Sequence, residues 1–360
     1  MSRARPTTAV AVLVGLAGLV ALVLLLPSGW SPVDRASADV DVDTVDAVGP
    51  SGAAVVAAGS SAAAVTLLRR AADAEDGVEY QGDQEITTWH DGRAATRTVT
   101  VTEAGESTAT ANGVRALTDR TVEALLAAYV VRVEGAGTVL DRPAHVVTAT
   151  QDGVLAARMW LDDGTGLMLR QDVVGAAGEP RRSAAFVSLT LGGKATTSAG
   201  SPSSGPSFAP SSPSSAGPSG WTVLPLTDLA RWGAEGWPVR QSLPGGMRLL
   251  DARRGTLPGD APVLQLTYGD GICAISVFAQ RGELADELSG WQRQDWDDGT
   301  ALVRDSWPET MTWQGGDLVI TAVGDLELDE LQDRLADLPH DDRPGVMTRF
   351  ARSALSWLPG

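Results

Sequence analysis

The sequence has few of the side chains that enzymes most often use for chemistry. It contains one cysteine, Cys273, and its three histidines, His90, His145 and His340, lack the spacing of metal ligands. The sequence has no phosphate-binding glycine-rich loop, no Gly-x-Ser-x-Gly elbow and no His-Glu-x-x-His helix. These absences predict a protein with no internal disulfide, no metal, no cofactor and no enzymatic activity.

Positive charge is also scarce, and lysine is almost missing. Lys194 is the single lysine among 28 basic residues, and 45 acidic residues bring the formal net charge to −17. Nucleic-acid binding depends on clustered cations that displace counterions from the phosphates. The charge therefore argues against a nucleic-acid partner.

One long apolar run lies near the amino terminus. Ala9 to Leu26 consists only of Ala, Gly, Val and Leu, and as a helix it would be about 27 Å long, close to the hydrocarbon thickness of a bilayer. Arg3 and Arg5 precede the run and mostly acidic residues follow it, which predicts a cytoplasmic start. We expect a single-pass membrane protein with its bulk outside the cytoplasm.

A cleaved signal peptide is the alternative to an anchor. Ala36-Ser37-Ala38 offers a small-residue cleavage site, although it lies far from the apolar run. Cleavage would release a secreted or periplasm-equivalent protein. The anchor is favoured because the run is long enough to span.

The rest of the chain divides by composition into several segments. Residues 1–30 hold the anchor or signal segment, residues 31–60 read as a flexible stalk, and residues 61–191 as a first domain. In that domain, helical spacing predicts helices at 62–74 and 120–128, and alternation predicts antiparallel strands. The strands are expected at 79–89, 96–102, 129–134, 144–150, 155–162, 167–174 and 183–191.

A linker and a second domain follow. Residues 192–219 contain ten Ser, five Gly and five Pro, a composition that predicts a linker without a core. Residues 220–340 predict a smaller α+β domain with strands at 247–252, 263–268, 272–280, 302–305, 311–314 and 318–323, and a closing helix at 326–338. The tail, 341–360, carries an apolar stripe that either binds a partner or membrane, or docks on the second domain.

Few residues are candidates for a site. Trp89 and Trp160 lie in predicted strands, where they either line an apolar ligand cavity or serve in ordinary sheet packing. The adjacent carboxylates Asp162-Asp163, Asp297-Asp298 and Asp341-Asp342 read as solvated turn residues rather than acid–base pairs. Cys273 reads as a core thiol.

Several motifs, in order, resemble the MucB/RseB family. Ala157–Asp162 and Thr165–Arg170 are similar to the family's strand, turn and strand, in which aromatic-Leu-Asp precedes Thr-Gly-Leu and a basic residue. Further similarities are Tyr80–Gly82, Ala184–Leu189, Leu243–Met247, Leu266–Gly271 and Ser276–Phe278.

The resemblance implies a fold and a function. The fold is mainly-β α+β, with a LolA/LppX-like curved half-open antiparallel β-barrel, helices on its concave side and a smaller α+β carboxy-terminal domain. The implied function is regulation: binding the outer part of a membrane anti-sigma factor and releasing it when envelope stress supplies a lipid-like or acylated ligand. The alternative is a lipid or lipoprotein carrier that uses the same concave sheet.

The anchor prediction can be tested on the mature protein. We expect protein extracted from membranes to retain residues 9–26, because the run is long enough to stay in the bilayer. Intact-mass measurement checks this. A mature chain that begins near Asp39 would show that the segment is a cleaved signal peptide.

Overall fold

Two antiparallel sheets make up most of the part of the chain that the computed structural model describes. The described residues are 56–90, 92–102, 117–192, 194–197, 221–257, 261–285, 287–296, 299–304 and 306–340. Contacts divide these residues into two units, within 26–215 and within 216–360. The predicted anchor, Ala9 to Leu26, and the tail, 341–360, lie outside the described residues. No helix in the described part is long and apolar enough to cross a membrane.

The first unit contains two helices and an eight-stranded antiparallel sheet. The helices are α1 (Ala62–Gly77) and α2 (Asp119–Ala128). The strands are β1 (Tyr80–His90), β2 (Arg93–Thr102), β3 (Val130–Val139), β4 (Arg142–Gln151), β5 (Val154–Asp162), β6 (Met168–Val174), β7 (Pro180–Leu191) and β8 (Lys194–Thr197). Their order is β2-β1-β7-β6-β5-β4-β3, with β8 paired to β7. Within the described strands, the edges β2 and β3 do not pair with each other, so the sheet is not a closed barrel.

Both helices begin at side-chain caps and bury one apolar face. Ser61 Oγ accepts the N–H of Ala64, and Thr118 Oγ1 accepts the N–H of Thr121. In α1 the buried residues Ala64, Leu68 and Ala71 recur at helical spacing. Helix α1 contacts α2, β3 and β5. The amphipathic patterns therefore predicted the two helices correctly.

Three features of the first unit differ from the sequence-based predictions. Strand β3 continues to Val139 rather than ending at 134. Strand β8 lies in the predicted linker and needs no core, because its backbone pairs with β7 after the Gly192 turn. The predicted stalk also ends early: Ala57 N–H donates to Leu126 O and Ser60 Oγ accepts the N–H of Val131. Backbone pairing at these positions compensates for the lack of large apolar side chains.

The second unit contains a nine-stranded antiparallel sheet, a 3-10 helix (Leu226–Asp228) and two short α-helices, α3 (Leu229–Ala234) and α4 (Leu328–Leu335). The strands are β9 (Thr222–Val223), β10 (Ser242–Leu243), β11 (Met247–Leu257), β12 (Ala261–Gly269), β13 (Ala274–Arg281), β14 (Gln292–Trp296), β15 (Gly299–Arg304), β16 (Glu309–Gly315) and β17 (Leu318–Gly324). Their order is β10-β11-β12-β13-β17-β16-β15-β14, with β9 paired to β11.

The core of the second unit lies between its sheet and its helices. Leu331 and Leu335 of α4 are fully buried there, as the leucine stripe predicts. Tyr268 also belongs to this core, and its hydroxyl donates to the carbonyl oxygen of Arg240 at 3.1 Å. Burial raises the pKa of Tyr268 to about 12. Asp270 Oδ1 accepts the N–H groups of Ile272 and Cys273, which is why β13 begins at Ala274 rather than at 272.

Gly82, in the Tyr-Gln-Gly motif of β1, has no space for a side chain. A Cβ atom there would lie 2.2 Å from the carbonyl oxygen of Ser188 and 2.9 Å from Phe186 Cδ1. The pairing of β1 with β7 shifts register beside it, between Asp83 and Gln84. Gly82 is therefore required by close backbone approach.

We expect Gly82→Ala to lower the free energy of unfolding by about 2 to 3 kcal/mol, because the two backbones must separate. Gly135→Ala is the matched control, since nothing lies within 4 Å of a Cβ atom at that position. Chemical unfolding followed by near-UV circular dichroism measures both. Equal stabilities for the two variants would contradict this account of β1.

Candidate partner-binding surface

A buried ion pair fixes the turn between β5 and β6. Asp162, at the end of β5, has a side chain that is 1% exposed, and Arg142 at the start of β4 reaches it with two hydrogen bonds of 2.9 and 2.7 Å. Thr165 adds two more, from its N–H and its hydroxyl to Asp162 Oδ2, both 2.7 Å. A buried carboxylate needs such compensation because desolvation is costly.

The pKa of Asp162 reflects this competition. Burial alone would raise the pKa of this carboxyl, but the hydrogen bonds from Arg142 and Thr165 outweigh burial and hold the pKa below its usual value. Asp162 is therefore ionised at neutral pH, and its charge is matched by that of Arg142.

The same turn is attached to helix α1. Arg70 Nη2 donates to the carbonyl oxygens of Asp163 and Gly164, both at 2.9 Å. Gly166 has φ +92, and a Cβ atom there would lie 3.1 Å from the Arg70 carbonyl oxygen and 3.3 Å from Ala74 Cβ. The Thr-Gly pair of the family-like motif thus serves two contacts: Thr165 binds Asp162, and Gly166 permits close packing against α1.

Trp160 lies two residues before Asp162 and is half-buried. A Cβ atom at Gly137 of β3 would lie 2.8 Å from Trp160 Nε1, so this glycine makes room for the indole. On β6, the Arg170 guanidinium carbon lies 4.7 Å from the ring centroid, in cation–π contact. Asp172 holds Arg170 through two hydrogen bonds of 2.9 and 2.8 Å. The Trp160 ring therefore has a defined position beside β3.

The outer side of β3 from Val133 to Thr138, here called the open β3 edge, is exposed. Val133, Glu134, Gly135, Ala136 and Thr138 are all exposed, and Gly137 is half-buried. At Val131 the chain covers the edge itself, because Ser61 N–H donates to Val131 O. Beyond Val131, no described backbone group of the protein pairs with this side of β3.

The hairpin geometry decides which groups face outward along the open β3 edge. Leu140 and Asp141 form a two-residue turn with φ of 52 and 58, so Val139 and Arg142 are a hydrogen-bonded pair. Pairs alternate, which leaves Ala136 and Thr138 with N–H and C=O directed away from β4. Pro143 lies opposite Thr138 in a pair that forms no hydrogen bond across the two strands, so its lack of an N–H costs no hydrogen bond.

The two predicted site tryptophans are not neighbours. Trp160 is opposite Arg170, Arg170 is opposite Ala185, and Ala185 is opposite Glu85, which lies four residues before Trp89 on β1. Three strand spacings and four residues place the two side chains roughly 20 Å apart. That Trp89 and Trp160 line an apolar ligand cavity stays a prediction.

The structure corrects one candidate and supports another. Asp162 is not a solvated turn residue as predicted, because Arg142 and Thr165 bind it in a buried position, whereas Asp163 is 42% exposed. Cys273 is partly buried and packs against the second unit's core. The pairs Asp297-Asp298 and Asp341-Asp342 lie outside the described residues. One feature of the sequence could have indicated the Asp162 contact. A threonine three residues after an aspartate, here Thr165, is typical of an Asx turn.

Comparison with known proteins connects this geometry to a family. Residues 66–204 match the model of the MucB/RseB N-terminal domain. No curated protein sequence matches the chain.

Three solved structures that align with the chain contain MucB. The crystal structure of MucB in complex with MucA(peri) and the structure of the Pseudomonas aeruginosa MucA/MucB complex are each 20% identical to this chain. Each alignment covers 78% of this chain and 100% of the other, and the TM-scores are 0.40 and 0.41. The crystal structure of MucB alone is 19% identical, and its alignment covers 78% of this chain and 99% of MucB with a TM-score of 0.41. Because these TM-scores are below 0.5, we base no residue equivalence on them.

The first unit is a mainly-β domain with few helices and an open antiparallel sheet, in which the charged residues around Trp160 form ion pairs. Its residues 66–204 match the MucB/RseB N-terminal domain, and that family is one of regulatory rather than enzymatic proteins. The resemblance found in the sequence is confirmed.

We expect Asp162→Asn to lower the free energy of unfolding of the first unit by about 3 kcal/mol at pH 7, because it leaves Arg142 without its charged partner. The pKa of Asp162 is lowered in the folded state, so its contribution is present above about pH 4 and is lost as the pH falls through the lowered value. The difference between wild type and variant should therefore shrink as the pH falls below about 4.

Chemical unfolding at a series of pH values measures this difference. Asp163→Asn is the control, because that side chain is 42% exposed, and we expect it to change stability by less than about 0.5 kcal/mol. A wild-type advantage over Asp162→Asn that stays constant from pH 7 to pH 2 would contradict the role given to the carboxylate.

Proposed function

We propose that this protein is a non-enzymatic regulator that binds the outer part of a membrane anti-sigma factor. The observation that carries the proposal is the match of residues 66–204 to the MucB/RseB N-terminal domain. The family resemblance implies that such a domain recognises an anti-sigma factor and controls its exposure to proteolysis.

The chemistry around Trp160 supports binding rather than catalysis. The charged side chains there are paired: Arg142 with Asp162, Arg170 with Asp172 and Arg158 with Glu134. Carboxylates already engaged by arginines are poorly placed to exchange protons with a substrate. A rigid aromatic ring beside exposed backbone groups is suited to recognising another polypeptide.

Our proposal extends to the fold and the location. The open sheet with α1 against β3 and β5 supports a LolA/LppX-like half-open barrel with helices on its concave side. The apolar run Ala9 to Leu26 and the charges around it support a membrane anchor with both units outside the cytoplasm. In this proposal, a lipid-like ligand that appears during envelope stress causes the protein to release the anti-sigma factor.

A lipid or lipoprotein carrier is less well supported. Part of the first unit's interior is filled by its own side chains: Leu167, Phe186 and Leu189, each at most 5% exposed, pack together with Ala74 of α1. A carrier needs space for acyl chains at such a place. We therefore give priority to protein binding.

We expect the full-length chain, extracted from membranes in mild detergent, to co-purify with a membrane anti-sigma factor, because the family domain implies that partner. Quantitative mass spectrometry of the eluate measures it. Deletion of the gene should raise transcription from promoters of the cognate sigma factor. Recovery of no membrane regulator together with unchanged transcription would contradict the proposed function.

A further inference from the structure

We propose that the open β3 edge is where the partner binds, as an extended segment that adds one strand to the sheet and seats an apolar side chain over Gly135, beside the Trp160 ring that covers Gly137. This inference rests on the proposed function and specifies how the anti-sigma factor is held. It makes the Trp160 ring a specificity element rather than part of a lipid cavity.

The backbone of β3 supplies the first part of this site. Ala136 and Thr138 direct N–H and C=O groups away from β4 and are exposed. The protein already adds an extended stretch to this same edge, since Ser61 N–H donates to Val131 O and Val131 N–H donates to Ser60 Oγ. That stretch stops before Val133. A strand from another chain can continue the pairing where the protein's own segment ends.

The two glycines supply the second part. A Cβ atom at Gly137 would point at Trp160, and Gly135 lies two residues away and thus on the same face of β3. Apart from its two chain neighbours, nothing lies within 4 Å of a Cβ atom at Gly135. This face of the edge therefore has an open notch over Gly135, bordered by the indole at Gly137 and by the ion pair of Glu134 with Arg158. A side chain on the same face of an added strand lies about 5 Å from its cross-strand neighbour, which places it in this notch.

Trp160 offers both apolar area and a hydrogen-bond donor to the notch. Its Nε1 lies over Gly137, and within the described part of the protein it donates to no acceptor. Arg170 and Asp172 hold the ring in place, so little side-chain entropy is lost when a ligand packs against it. The notch therefore suits an apolar side chain next to a backbone or side-chain oxygen.

A second copy of this chain fits the open β3 edge poorly. The register of β3 against β4 shifts between Val133 and Gly135, and such a bulge interrupts the regular spacing that symmetric edge-to-edge pairing requires. Each copy also carries a formal charge of −17, so two copies repel each other. A short extended segment of a different protein avoids both problems.

The test is site-specific photocrosslinking with the full-length chain in intact cells. A p-benzoylphenylalanine probe replaces Thr138 at the open β3 edge, and in a matched control it replaces Thr98 on the other edge strand, β2. Two variants are combined with the Thr138 probe. Ala136→Pro removes one outward N–H without touching the pairing to β4, and Gly135→Val fills the notch where there is space for it. Ala94→Pro, at an exposed position of β2, is the matched proline control.

We expect the Thr138 probe to trap the anti-sigma factor, identified by mass spectrometry, and the Thr98 probe not to trap it. Ala136→Pro and Gly135→Val should each lower the crosslink yield about tenfold, and Ala94→Pro should leave it unchanged. If the proline variant fails to fold, the crosslink yield of Gly135→Val still tests whether the partner occupies the open β3 edge.

Three results would overturn the inference. Capture of a second copy of this chain at Thr138, or equal yields for the edge variants and Ala94→Pro, would refute the open β3 edge while the proposed function stands. Failure of the unmodified chain to co-purify with any anti-sigma factor would refute the proposed function, and this inference with it.

Discussion

The contact between Arg142 and Asp162 is the constraint on which the first unit's candidate surface depends. One carboxylate joins the start of β4, the end of β5 and the following turn through four hydrogen bonds. An uncompensated buried charge would cost several kcal/mol, so all four donors are needed where they are. Arg70 then ties the same turn to α1. Asp162, Thr165 and Gly166 of the family-like motif are thus explained by contacts within the fold.

The position of Trp160 follows from that contact. Two residues before Asp162, its ring is set by the end of β5, by the missing side chain at Gly137 and by Arg170. Because Gly135 and Gly137 are small, the ring borders an exposed strand edge instead of being covered. The same residues that weaken β3 as a strand, through backbone entropy, leave it accessible to an added segment.

Much of the fold could be predicted from the sequence, because alternation and helical spacing follow directly from which faces are buried. Ile86 in β1, Val147 in β4 and Met159 in β5 are buried as the alternation requires. Strand β3 beyond 134 was missed because Gly-Ala-Gly has low strand propensity and its pairing is made by backbone. Strand β14 was missed because Gln292 to Asp295 are all exposed, so no apolar alternation marks them.

The candidate site was harder to predict than the fold. Trp160 was identified by its residue type, but its neighbours Gly137 and Arg170 are brought to it by strand register, which a single sequence does not reveal. Asp162 was misread because an Asp-Asp-Gly turn is usually solvated. Its burial depends on Arg142, which is 20 residues away in the sequence.

The most direct measurement of the central contact is a double-mutant cycle between Arg142→Met and Asp162→Asn. Hydrogen exchange at the amide of Thr165, which donates to Asp162, reports the opening of this turn in the full-length protein. The account predicts a coupling free energy of at least about 2 kcal/mol between the two positions. Effects that add to within about 0.5 kcal/mol would contradict it.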